Sequence, residues 1–136
     1  MSFLVDTNVV SELRKGRRCD AHVARWYGSL DDGDIYLSVL TIGELRRGIE
    51  LLRPRDVSSA ERLDDWLAQV VSAHTERMLP VDSSVAEVWG RLNAPDPVSV
   101  IDGLLAATAI VHDLTLATRN VGDVERTGVA YLNPFE

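Results

Sequence analysis

Apolar and polar positions along the chain fall into blocks that alternate between a continuous or two-residue rhythm and a helical one. Phe3-Leu4-Val5 is a short apolar run that predicts a buried strand, and it closes on the polar turn Asp6-Thr7-Asn8. Val9 to Leu13 then starts a helix, with Thr7 or Asn8 as its cap, and a basic stretch around Gly16 breaks it. Val23, Trp26, Tyr27 and Leu30 recur at helical spacing. Asp31 to Asp34 is a turn, and Ile35 to Val39 reads as a second strand. Ile42, Leu45, Ile49 and Leu52 mark the buried face of a helix that opens at Thr41 and stops at Pro54.

The second half keeps the same alternation. Ser58 to Arg77 predicts a longer amphipathic helix with Leu63, Trp66, Leu67, Val70 and Val71 on one side. Leu79-Pro80-Val81 is an extended link suited to an edge strand, where proline is tolerated. Val85, Val88, Trp89 and Leu92 make another helix, and the two prolines between Asn93 and Val98 make a loop. The alanine-rich helix Ile101 to His112 is suited to close packing against a sheet. A strand at Leu114 to Thr118, a turn at Asn120 to Arg126 and a last strand at Val129 to Leu132 complete the pattern. Strands that alternate with helices predict an α/β fold with a parallel sheet, in one domain spanning residues 1–136.

Composition narrows the classes of function. With 46% hydrophobic and 26% charged residues, the chain has enough apolar material for a proper core. Cys19 is the only cysteine, which excludes an intrachain disulfide and a zinc–cysteine cluster. No basic-then-apolar leader and no bilayer-length apolar run occur, so the expectation is a cytoplasmic protein without membrane contact. The formal net charge of −7 argues against a general nucleic-acid binder. The charge is uneven: residues 1–55 hold nine basic against eight acidic residues, and residues 56–136 hold five against thirteen. Two Arg-rich patches, Arg14 to Arg18 and Arg46-Arg47 with Arg53 and Arg55, are candidate phosphate contacts, although charge runs are more often solvated surface.

Candidate chemistry rests on four acids. A carboxylate that ends an apolar strand, as Asp6 does, stands at the sheet edge where open α/β sheets bind ligands, and needs a partner or a cation there. Glu44, Asp102 and Asp123 are the acids the scaffold brings toward it. Clustered carboxylates suit hard divalent cations such as Mg²⁺, which in phosphodiester hydrolysis activate water and polarise the phosphoryl group. Against this, Thr41-x-x-Glu44 and Ser99-x-x-Asp102 match the helix capping box, as do Ser58-x-x-Glu61 and Ser84-x-x-Glu87, so the spacing alone is compatible with helix caps. Asp123 taken alone is an ordinary turn residue.

Taken together, Asp6-Thr7-Asn8 after an N-terminal strand, Glu44 early in a helix, Asp102 opening an Ala-rich helix, and Leu116-Ala117-Thr118-Arg119-Asn120-Val121-Gly122-Asp123 resemble the PIN-domain ribonucleases. Within these the chain most resembles the VapC/FitB-like toxins of bacterial type II toxin–antitoxin pairs, over its whole length to Leu132-Asn133-Pro134-Phe135. The resemblance implies a PIN-like three-layer α/β/α fold with a central, mostly parallel sheet. It implies a metal-dependent endoribonuclease that hydrolyses RNA with Mg²⁺, or Mn²⁺ in its place. Carried over, Asp6, Glu44, Asp102 and Asp123 are the metal-binding and catalytic acids, and Thr7, Asn8, Thr118 and Asn120 are polar supports for substrate or water. It also implies a homodimer, and a cognate VapB-like antitoxin that inserts a basic side chain into the acidic site, with room for a higher toxin–antitoxin assembly. One departure stands out: Val124 follows Asp123 where the family usually has an aromatic residue.

Other chemistries find little footing. His22, His74 and His112 are scattered and read as structural or surface residues, and Trp26, Trp66 and Trp89 lie on apolar helical faces. Neither a Gly-x-Ser-x-Gly elbow nor a Gly-x-x-x-x-Gly-Lys loop occurs. A phosphoaspartate receiver needs a late lysine, and none follows Lys15; a haloacid-dehalogenase-type phosphatase needs an acid where Asn8 stands. The remaining alternative is a catalytically idle PIN fold that acts as a binding module.

Overall fold

In the computed structural model, which describes residues 1–136, the apolar run at the N-terminus is the middle strand of the sheet. Strand β1 (Phe3–Val5) pairs in parallel with β2 (Ile35–Ser38) on one side and with β4 (Thr115–Ala117) on the other. The two-residue strands β3 (Met78–Leu79) and β5 (Tyr131–Leu132) close the edges, giving the all-parallel order β3-β2-β1-β4-β5. Leu4 pairs with both Tyr36 and Leu116, so β1 has no free edge.

Successive strand residues point to opposite faces, and β1 is apolar on both because helices cover both. Phe3 and Val5 join Ile35 and Leu37 beneath α1 (Thr7–Leu13), α2 (Ala21–Gly28), α3 (Val39–Leu52) and α4 (Val57–Ala73). Leu4 and Leu116 face the opposite layer, where α6 (Val100–Val111) contributes Leu105, Ala106 and Ala109, and the short helix α7 (Val121–Val124) contributes Val124. Helix α5 (Ser83–Leu92) packs on α6, and Gly103 admits this approach: a Cβ there would meet the Trp89 ring at 3.2 Å. The result is the expected three-layer α/β/α arrangement.

Several boundaries differ from the sequence reading, each for a local reason. Aspartates, more than the Ser and Thr of the apparent capping boxes, start the helices: Asp6, Asp20, Asp56 and Asp82 each accept a backbone N–H from the first turn of α1, α2, α4 and α5. Helix α3 opens at Val39 on the Ser38 hydroxyl, which accepts the Leu40 N–H at 3.0 Å; Thr41 therefore lies inside the helix, fully buried, and does not cap it. Helix α4 ends at Ala73, because the Arg77 guanidinium donates to the Ile35 carbonyl at 2.9 Å and draws the chain into β3. The expected turn at Asn120 to Arg126 is helical: α7 and a 3-10 turn over Glu125–Thr127 bury Val124 and Thr127 before Gly128 takes a left-handed φ of +79°. Strands β4 and β5 are shorter than the apolar runs that signal them.

Candidate active site at the centre of the sheet

The strand order reverses its direction of growth at β1, with β2 and β3 on one side and β4 and β5 on the other. The C-terminal ends of β1 and β4 thus form the crevice where open parallel sheets bind ligands. Asp6 stands in it, only 5% exposed, and is fixed on both oxygens. Its Oδ1 accepts the Thr7 N–H at 2.7 Å, and its Oδ2 accepts the Thr118 hydroxyl at 2.8 Å and, at a longer 3.4 Å, the Asn8 amide. Thr118 is fully buried and its Oγ1 also accepts the Asn120 N–H at 3.0 Å, which directs the hydroxyl proton toward Asp6.

Glu44 comes from the second turn of α3, and its Oε1 accepts the Thr7 hydroxyl at 2.6 Å. That bond defines its role here, since Thr41 does not close a capping box with it. Asp102 lies in the first turn of α6, on the other face of the sheet, with Ser99 at the cap position. Asp6, Thr7, Asn8, Glu44, Ser99, Ile101, Asp102 and Asn120 line one cleft of ≈ 430 Å³. Six of the eight residues expected from the sequence therefore share a cavity. Thr118 lies beneath Asp6, and Asp123 is an exposed residue of α7 outside the cleft lining.

The charges of these acids reach one another. Burial pushes the Asp6 carboxyl above its ordinary range, the bonds from Thr118 and Thr7 pull it back, and the negative charges of Asp102 and Glu44 push it up again. Asp102 is likewise raised, by burial first and then by Asp123 and Glu44, with the Ser99 hydroxyl opposing. No ion pair of the structure involves any of the four acids. A buried carboxylate with two like charges in reach and no cationic side chain is a donor set of hard oxygens that lacks its counter-charge. No three acidic, histidine or cysteine side chains stand close enough to enclose one ion between them. The set therefore fits a cation held by one or two carboxylates that keeps water in its other positions, which is the habit of Mg²⁺.

Within the second arginine patch, Arg46 and Arg53 follow the salt-bridged reading and not the phosphate-contact one. Arg46 pairs with Asp64 at 2.7 Å and Glu50 at 3.1 Å, and Arg53 pairs with the same two acids at 2.8 and 2.7 Å. These guanidiniums clamp α3 to α4, and their charge is already answered, so they are not free phosphate contacts. The Arg53 and Arg46 guanidiniums hold the Asp64 carboxyl down to about 2. Sequence reasoning missed Ser99 and Ile101 as cleft residues; the signal for Ser99 was its spacing to Asp102, which also fits a helix cap. It also gave no role to Arg119, whose backbone N–H donates to the Asn8 Oδ1 at 3.3 Å.

Comparison with known proteins agrees with this geometry. The PIN domain family matches residues 3–128. The chain is 36% identical over 141 aligned positions to Toxin FitB of Neisseria gonorrhoeae, covering 98% of each protein. It is 34% identical over 141 positions to a VapC ribonuclease of Sinorhizobium fredii, again covering 98% of each. Among solved structures, FitAcB from Neisseria gonorrhoeae superposes with a TM-score of 0.90 at 34% identity, covering 98% of this chain and 99% of that one. The chain belongs to the PIN domain family, among its VapC- and FitB-like toxins.

Proposed function

We propose that the chain is a metal-dependent endoribonuclease and the toxin of a toxin–antitoxin pair, hydrolysing RNA phosphodiester bonds at the cleft of Asp6, Glu44, Asp102 and Asp123. The observation that carries this reading is Asp6: a carboxylate 5% exposed, at the switch point of the sheet, with the charges of Asp102 and Glu44 in reach and no cationic partner. The ribonuclease named among the relatives supports the substrate class.

Asp6 and Asp102, approaching from opposite faces of the sheet, would hold the cation, with Asp123 adding charge from α7. Mg²⁺, or Mn²⁺ in its place, would supply Lewis acidity at the phosphate and an acidified water at neutral pH. Thr7 and Thr118 do the orienting: Thr7 donates its hydroxyl proton to Glu44 and Thr118 to Asp6, and each bond aims the carboxylate it reaches. Glu44, held by Thr7 on one oxygen, is the carboxylate that orders the attacking water and receives its proton. Asn8 braces the β1 end against the β4 end by accepting the Arg119 N–H, and the Asn120 N–H orients the Thr118 hydroxyl.

The partners follow from the same reading. A VapB-like antitoxin would silence the site with a basic side chain set among the unpaired acids. An apolar groove of ≈ 440 Å³, lined by Val10, Leu13, Tyr27, Trp66 and Val70 among others, is suited to an apolar segment of that partner. Val39 and Val71 expose apolar surface between α3 and α4, which supports contact with a second copy of the chain.

The test is cleavage of a mixed RNA pool by antitoxin-free protein with Mg²⁺, with Mn²⁺ and with chelator, followed by mapping of the product ends. Internal cuts that need metal are expected. A folded protein that leaves every RNA intact with either metal would overturn the enzyme reading in favour of an idle binding module.

A further inference from the structure

We infer that Arg119, carried on the ring of Phe135, is the residue that grips an RNA phosphate beside the cleft; the inference rests on the ribonuclease reading above. Arg119 stands between two residues of the site. Thr118 bonds Asp6 at 2.8 Å, and Asn120 lines the cleft and bonds Thr118 through its backbone. The Arg119 backbone is tied to Asn8, itself a cleft residue, at 3.3 Å.

Its guanidinium lies over the Phe135 ring, with Cζ 4.4 Å from the centroid. That ring is half-buried against the core of the α1–α4 layer, and the Phe135 N–H is held by the Asn133 Oδ1 at 3.0 Å, so the platform is fixed. Stacking occupies one face of the guanidinium and leaves its N–H edge for a bidentate acceptor, the geometry a phosphate offers.

Its charge is also free. Arg46 and Arg53 pair with Glu50 and Asp64, Lys15 with Glu12 and Arg91 with Glu87, whereas Arg119 has no carboxylate within ion-pair distance, and its charge is felt only remotely by Asp20. A polyanion approaching a chain of net charge −7 and a four-acid site needs a cation at the rim. Arg119 is the unpaired cation whose backbone belongs to the site.

The test compares wild type, Arg119→Gln, Arg119→Lys and, as a control for charge on a distant helix, Arg62→Gln. The readouts are the kinetics of RNA cleavage and the binding of a labelled mixed-sequence single-stranded RNA in the cleavage-deficient Asp6→Asn background across salt concentrations; thermal melting confirms folding. Arg119→Gln is expected to raise KM about tenfold, the loss of one charge-assisted phosphate contact, with kcat within about twofold. The slope of log affinity against log salt should fall by about 0.7, the share of one phosphate contact on a single strand. Arg119→Lys should keep the slope and lose part of the affinity, and Arg62→Gln should match the parent. A merely structural clip between Arg119 and Phe135 would shift melting and leave the salt slope alone, and that outcome overturns the inference. So does a wild type that cleaves RNA while Arg119→Gln keeps its KM and slope. A wild type that neither binds nor cuts RNA overturns the ribonuclease reading, and this inference with it.

Discussion

Replacing Thr118 with valine removes one proton donor from the most buried carboxylate of the site while keeping the shape of the side chain. Thr118 is fully buried, Asp6 is 5% exposed, and their bond is 2.8 Å long. A hydrogen bond to a charged group contributes about 1.5–3 kcal/mol, and 1.36 kcal/mol corresponds to one pKa unit, so the Asp6 carboxyl should rise by about one to two units. It is already above its ordinary value through burial, and the loss moves it in the same direction. Cation binding requires the ionised form, so the acid limb of the pH–rate profile for RNA cleavage should move up by that same interval. The bond favours the charged state, so the stability cost of Thr118→Val should be larger above the folded pKa of Asp6 than below it. Thr118→Ser, which keeps the hydroxyl, should restore both. The assay is cleavage rate against pH at saturating Mg²⁺, with urea unfolding at two pH values beside it. An acid limb in Thr118→Val that coincides with wild type would refute the claim that this hydroxyl sets the charge of Asp6.

Asp6→Asn removes a charge that burial and the neighbouring Asp102 and Glu44 oppose, and asparagine can still cap α1, so the metal-free variant should be more stable than metal-free wild type at pH 8. Because the folded pKa is raised above the ordinary 3.8, metal-free wild type loses stability as pH rises through that interval, and the advantage of Asp6→Asn should vanish near pH 4; chemical denaturation across pH checks both. Asp64, held at about 2 by Arg53 and Arg46, makes the opposite contribution: it is present above the ordinary carboxylate value and lost as pH falls toward 2, so Asp64→Asn and wild type should differ in melting temperature at neutral pH and converge at pH 2. Leu4→Ala opens a cavity in the middle strand, where the residue is fully buried between two helical layers, and should cost about 2–5 kcal/mol by the same denaturation assay.

What the sequence disclosed, and what it withheld, divides along physical lines. The middle strand was legible because three apolar residues ending in a carboxylate leave few alternatives for Phe3-Leu4-Val5-Asp6. The convergence of Asp6, Thr7, Asn8, Glu44, Asp102 and Asn120 on one cleft was legible through the resemblance, since no local signal links residue 6 to residue 102. Helix starts were misread where a Ser or Thr matched the capping box and the acting cap lay a residue or more upstream, as with Ser38 before Thr41 and Asp56 before Ser58. Local spacing cannot rank two competing caps when tertiary contacts choose between them. Arg46 and Arg53 looked like a phosphate patch because their partner Asp64 lies on the next helix, a contact created only by packing α3 on α4. The helical turn at Val121–Val124 was hidden for the same reason: Val124 is buried by the core beneath it, and the local sequence reads as a polar loop.

The most direct measurement is the rate of RNA cleavage as a function of Mg²⁺ concentration for wild type and for Asp6→Asn, Glu44→Gln, Asp102→Asn and Asp123→Asn, each checked for folding. Saturable, chelator-sensitive cleavage in wild type is expected. Losses of about 100-fold or more are expected in the first three variants, whose carboxylates line the cleft, as for groups that act on the transition state. A smaller loss is expected in Asp123→Asn, whose charge reaches the site from outside the cleft. Cleavage that persists in chelator, or an Asp6→Asn protein that cuts RNA at the wild-type rate, would contradict the account.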